Sequence, residues 1–214
     1  MAAAKPHTYG PGEELANVIT HSAGMGLAIA GLVILMVLTA GRGDLLRLLT
    51  CAVFGGALVV LYGGSALYHG ARNPRWRAVT QALDHVMIYI LIAATYTPFT
   101  LVTLRGPWGW SIFFIVWGLA LLGVVREIVW KGRPKWLSIV LYLAMGWVIV
   151  VAMKPLVERL PAGGLWLLLA GGIVYTVGTV FYALKKVPYM HTVWHLFVIG
   201  GSVCHFLAVA FYVA

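Results

Sequence analysis

Charge is what this chain has least of. Only 10% of its 214 residues are Asp, Glu, Lys or Arg and 62% are hydrophobic, where a soluble domain carries roughly one-quarter charged residues. That balance excludes an ordinary soluble globule. Cysteine is nearly absent: Cys51 and Cys204 both sit inside apolar runs, so neither a disulfide framework nor a zinc ribbon is expected. The opening Met1-Ala2-Ala3-Ala4-Lys5-Pro6 lacks the short apolar core of a cleaved signal. The first apolar run is too long for one and begins with Glu14, Asn17 and His21, so it is expected to be retained. Low-complexity sequence is missing. So is a convincing internal repeat, which disfavours transporters built on inverted repeats.

What is present is a series of long apolar segments, each long enough to span a bilayer. Seven are read, at about Leu15–Ala40, Leu48–His69, Leu83–Leu104, Trp108–Val125, Leu137–Met153, Leu165–Leu184 and Tyr189–Val213. They predict an all-α, polytopic membrane protein: an irregular tail over residues 1–12, then a single seven-helix transmembrane domain over 13–214. No space is left for a soluble domain. The net charge of +9 does not mark a nucleic-acid binder, because the basic residues are dispersed among the connections. Ten of the fifteen fall on the N-terminal side: Lys5, Arg72, Arg75, Arg77, Arg126, Lys131, Arg133, Lys135, Lys185 and Lys186. By the positive-inside rule the N-terminus is expected in the cytoplasm and the C-terminus outside.

The stretch Gly70–Arg77 reads as a short headgroup-level segment with Pro74 at a helix start. Trp108, Trp110, Trp130, Trp136 and Trp166 lie near span ends, as an interfacial aromatic belt requires. Glycines inside the spans, among them Gly24, Gly26, Gly55, Gly56, Gly171 and Gly201, read as points of close helix approach.

Polar residues are rare in the spans, and they do not scatter. Threading the chain back and forth puts His69 at the end of the second span and Asp84 and His85 at the start of the third. The same threading puts His191 and His195 at the start of the seventh, and Glu14, Asn17 and His21 at the start of the first. All converge on one membrane depth. His191 and His195, four apart, share a helix face. With His69 they supply three imidazoles, a set that leaves tetrahedral zinc one position for water and lowers that water's pKa to about 7. Asp84 is then a candidate general base, since a lone aspartate in a span costs roughly 2.5–3.5 kcal/mol and a nearby cation would offset it. Its rival role is a cap at the start of the third helix. Ser65, one turn before His69, could orient the water or stabilise an oxyanion, or simply pack. Glu14, Asn17 and His21 form one stripe that either locks the first helix against the site or takes part directly. His85 points away from Asp84 and reads as a bystander. His205, roughly 15 Å deeper, lies too far off to share the site and is expected to hydrogen-bond in the core.

Glu14-x2-Asn17-x3-His21, Ser65-x3-His69, Leu83-Asp84-His85 and His191-x3-His195 resemble the motifs of the hemolysin III proteins, the bacterial branch of the progestin and adipoQ receptor family. The resemblance covers essentially the whole chain. It implies a seven-helix bundle in a bacterial inner (plasma) membrane, with zinc on His69, His191 and His195 and with Asp84 and Ser65 near the metal-bound water. Relatives in that family suggest hydrolysis of a lipid amide or ester, as by a ceramidase, the substrate entering from the bilayer between helices. The alternatives are a non-enzymatic membrane-homeostasis factor, or a transporter with structural zinc or a proton relay. Cytolysis is a third reading, and a released toxin would need a solubility this composition denies.

Overall fold

The computed structural model describes residues 9–130, 135–184 and 186–214, and among them the chain is helical with no strand. Hydrocarbon offers backbone N–H and C=O groups no partner, so a long apolar run satisfies them by closing its own helical hydrogen bonds. The helices are α1 (Pro11–Ala40), α2 (Leu45–Gly70), α3 (Pro74–Pro98), α4 (Gly106–Val129), α5 (Lys135–Gly146), α6 (Met153–Arg159), α7 (Ala162–Ala183) and α8 (Met190–Tyr212). α3 runs on as a π-helix, Phe99–Leu104. α5, a 3-10 turn and α6 together make the fifth span, so among the described residues seven stretches are long and apolar enough to cross a membrane. Of the tail read over residues 1–12, positions 1–8 with Lys5 lie outside the described residues, as do Lys131, Arg133 and Lys185. α1 already begins at Pro11.

Two boundaries differ from those expected, for local reasons. A helix starts at Pro74 as read, capped by Asn73, whose Oδ1 accepts from the backbone N–H of Arg75 (2.9 Å) and Trp76 (3.4 Å), but it runs on unbroken into the span read from Leu83. Of the expected headgroup segment, Pro74–Arg77 is therefore the first turn of a long helix, and residues 71–73 alone connect it to α2. Asp84 stands about three turns inside that helix, which removes its capping role. In the fifth span, the Pro155 ring conflicts with a straight α-helix through Val151 and donates no N–H. The chain there tightens into a 3-10 turn over Val148–Ala152. Tyr96 of α3 mends the break: its hydroxyl donates to the carbonyl of Gly146 (2.7 Å) or Met145 (3.0 Å) and accepts from Ile149 N–H (3.1 Å).

α1 with α2, α2 with α3, α3 with α4 and α7 with α8 pack as antiparallel neighbours, and α1 also meets α8, bringing first and last spans together. Glycine sets how closely α1 and α2 approach. A Cβ on Gly24 would stand 2.8 Å from the Tyr62 ring, and one on Gly55 would meet the Leu32 side chain at 2.8 Å and its Cα at 3.2 Å. Gly26 and Gly56 face open space, so close packing does not explain those two.

Candidate metal centre

His69 lies in the last turn of α2, and His191 and His195 lie in the first turns of α8. The alternating course of the spans brings them to the end of the bundle where α1 and α3 begin. All three are buried, and each offers one ring nitrogen such that the three atoms lie within 4.8 Å of one another. His69 Nε2 and His191 Nε2 are 3.3 Å apart. That separation matches the roughly 3.3–3.4 Å between ligand nitrogens placed tetrahedrally at about 2.0–2.1 Å from zinc.

The far side of each ring explains how the cluster is aimed. Glu14 Oε2 stands 2.7 Å from His69 Nδ1. A carboxylate only accepts, so the His69 proton sits on Nδ1 and Nε2 is left bare. The Thr20 hydroxyl donates to the carbonyl of Ala16 (2.8 Å) or Asn17 (3.0 Å) and therefore accepts from His195 Nδ1 at 3.2 Å, leaving His195 Nε2 bare as well. His191 is held by its faces. The Tyr9 ring stacks on it with centroids 4.8 Å apart and planes at 18°. Burial pushes the Tyr9 phenol up from its ordinary value, so it stays a neutral ring. Bare imidazole nitrogens turned on one another repel unless a proton or cation lies between them, and two of these rings have already committed their proton elsewhere. The donor set fits a divalent ion that prefers nitrogen, and zinc is the commonest such case.

Glu14 is itself paired with Arg77, whose guanidinium also lies 4.9 Å from the Tyr68 ring centroid. Asn17 Oδ1 accepts from the Thr192 hydroxyl at 2.6 Å, tying α1 to α8, while its Nδ2 only lies beside His69 Nδ1 at 3.4 Å, since that nitrogen already carries the proton given to Glu14. Glu14 and Asn17 thus lock α1 against the cluster. His21 differs from them: it stacks on His195, centroids 3.5 Å apart and planes at 19°, with its edge to Tyr62. Ser65 is buried one turn before His69.

Asp84 is half-buried and, with His21, His191 and His195, lines a cavity of about 540 Å³. The cavity runs the length of the bundle to Leu156 and Leu165 at the α6–α7 turn, and its walls are almost wholly apolar. His85 is no bystander, since it shares that wall and stands 3.1 Å from the buried Glu127 carboxylate of α4. His205 stays apart from the metal group, as expected, with Nε2 3.3 Å from Leu168 O.

Three residues at this centre are not singled out by sequence: Thr20, Arg77 and Tyr9. Thr20 sits beside His21 on the Glu14–Asn17 stripe, and that position is a usable signal. Arg77 looks like any interfacial arginine. Tyr9 gives no signal at all.

A family model for haemolysin-III-related proteins matches residues 9–206. The chain is 45% identical over 201 residues to Hemolysin-3 of Bacillus cereus, covering 94% of this chain and 92% of that one. It is 44% identical over 200 residues to the Hemolysin-3 homolog of Bacillus subtilis (strain 168), covering 94% of each. At 28% identity over 214 residues it is also similar to the monocyte to macrophage differentiation factor of Homo sapiens, covering 96% of this chain and 85% of that one. The helices, the clustered imidazoles and these matches agree: the chain belongs to the haemolysin-III-related family of membrane proteins.

Proposed function

We propose that this protein is a zinc-dependent hydrolase of a lipid amide or ester, working at the cytoplasmic side of a bacterial inner membrane. The observation that carries this reading is the junction of two features. Three imidazoles turn inward on one another, and two of them, His191 and His195, line a long apolar cavity together with a carboxylate, Asp84. A structural zinc site is normally closed by four protein ligands, whereas the group found among the described residues has three.

His69, His191 and His195 would hold the ion. Zinc in such a set supplies an acidified water and polarises a carbonyl. The chain's own residues do the remaining work. Glu14 and Thr20 keep protons on the outer ring nitrogens, so the inner ones stay available. Asp84 takes the proton of the attacking water and passes it to the leaving nitrogen or oxygen, a role worth about 10²–10⁴ in rate. Ser65 offers a hydroxyl to the carbonyl oxygen. The cavity, of a size usual for small-molecule sites, takes the acyl chain from the bilayer and excludes bulk water around the scissile bond.

Purified protein reconstituted in liposomes with N-acyl and O-acyl lipids tests the reading by release of fatty acid. Asp84→Asn should keep its zinc and lose at least about a hundredfold in turnover. Full zinc occupancy with no release from either lipid would overturn the hydrolase.

A further inference from the structure

His21 is 4% exposed and Ser65 1%. Neither ring nitrogen of His21, nor Ser65 Oγ, has a hydrogen-bond partner. Serine and threonine in membrane helices usually satisfy themselves by bonding back along their own helix. Thr39, Thr95 and Thr97 do so here, donating to the carbonyl four residues back at 2.7–3.0 Å. Ser65 does not. Unpaired polar atoms deep in a bilayer are unfavourable unless something entering the site pairs with them.

The α1–α2 register places these two side chains together. The helices run antiparallel, with Asn17 beside His69, Gly24 against Tyr62, Met25 against Gly63 and Leu32 against Gly55. Four residues along α1 and four back along α2, His21 and Ser65 occupy one level. That level is about 6 Å, one helical turn, deeper than the Asn17–His69 pair. His21 lines the apolar cavity, as does Leu61, one turn further along Ser65's face. His21 cannot bind the ion that His195 binds. A ring ligates in its own plane, and the two planes are nearly parallel, one above the other.

We propose that His21 is a second donor to the acyl oxygen already given to Ser65, so that the two side chains form a hydrogen-bonding subsite for the polar head of a lipid whose chain fills the cavity. A neutral imidazole and a hydroxyl each bring one donor. One carbonyl or carboxylate oxygen, with two lone pairs, accepts both. The inference deepens the hydrolase reading, and rests on it only in taking a lipid as the cavity's occupant. His21 becomes a substrate-contacting residue, distinct from Glu14 and Asn17 on the same stripe.

The test is equilibrium binding to the full-length, zinc-loaded chain in nanodiscs. The probes are a fluorescent fatty acid and a fluorescent N-acyl lipid, the latter measured in an Asp84→Asn background to prevent turnover. His21→Phe keeps a flat ring in the stack but removes both nitrogens, and Ser65→Ala removes the hydroxyl. Each is expected to weaken the bound probe about tenfold, the factor one hydrogen bond is worth, with zinc content and Tm unchanged. His21→Gln should recover most of that loss, which a purely structural role would not show. If only the fatty acid responds the bound group is a carboxylate, and if only the N-acyl lipid responds it is an amide carbonyl; either supports the subsite. Unchanged affinity of both probes in His21→Phe, or loss of zinc there, overturns it. Probe binding without hydrolysis of any lipid would end the hydrolase and leave the subsite standing. Hydrolysis with an unaltered KM in His21→Phe would do the reverse.

Discussion

At the end of the bundle where α1 and α8 begin, the clustered imidazoles are fixed by side chains reaching from other parts of the fold. Glu14 and Thr20 hold His69 and His195, and Tyr9 covers His191. Along the opposite wall of the cavity, α5 and α7 touch at few points. Trp147 Nε1 donates to Thr176 Oγ1 at 3.1 Å across their surface. One region is held by charge-assisted and neutral hydrogen bonds between four helices, the other by a surface hydrogen bond and apolar contact. A metal centre tolerates little misplacement of its ligands. A cavity filled from the bilayer needs a wall that yields. The contrast predicts that substitutions at the first end change metal binding, and that those at the second change how fast the cavity fills.

The largest effect is expected from the ligands. His69→Ala, His191→Ala and His195→Ala should each reduce zinc in the purified protein from stoichiometric to near nothing, measured by atomic emission. Zinc retained in all three variants would remove the centre. Next comes the support behind the rings. Glu14→Gln keeps the shape but replaces a full negative charge with an amide, and zinc affinity should fall about 10–100-fold in a chelator competition, the usual cost of losing such a partner. Affinity in every form should also fall as the pH is lowered, because protons compete for the same ring nitrogens.

Stability gives a third test, intermediate in size. Gly24→Ala puts a methyl group 2.8 Å from the Tyr62 ring, and overpacking of that kind costs roughly 1–3 kcal/mol. Gly26→Ala, two residues away with open space beside it, should leave Tm unchanged or slightly raised. Equal losses for both would show that α1 and α2 do not meet as described.

Much of the polar end is legible in the order and spacing of its residues. Spacing alone pairs His191 with His195, and alternation of the spans carries His69, Asp84 and the Glu14–Asn17–His21 stripe to the same depth. What spacing cannot carry is direction. Glu14, Asn17 and His21 share a stripe, yet Glu14 holds the His69 ring, Asn17 takes the Thr192 hydroxyl and His21 stacks on His195. Asp84 looks like a helix-start residue because the arginine-rich segment before it resembles a loop, and only the Asn73 cap reveals the helix continuing through it. The cavity is illegible for another reason. It exists because the fifth span breaks near Pro155 and α5 stands off from α7, and an apolar run reads the same whether it faces lipid, a neighbour or a hollow.

The smallest effect is expected at the α5–α7 wall, where it isolates one interaction. Trp147→Phe keeps an aromatic ring over Gly172, which lies 3.7 Å from the indole by its would-be Cβ, and removes only the N–H that reaches Thr176. A surface hydrogen bond of this kind is worth about 0.5–1.5 kcal/mol, so opening between the helices should become roughly two- to tenfold more frequent. Stopped-flow uptake of a fluorescent fatty acid should quicken by a factor within that range, and Thr176→Val should reproduce it. Zinc affinity should not change in either variant, because no hydrogen bond or ring contact joins Trp147 or Thr176 to the three imidazoles, although Tyr182 of α7 does meet His191. Faster uptake with unaltered metal binding separates the two regions as independent parts of the fold. A fall in zinc affinity would show that the wall and the metal centre move together, and that the polar end is less rigid than its hydrogen bonds suggest.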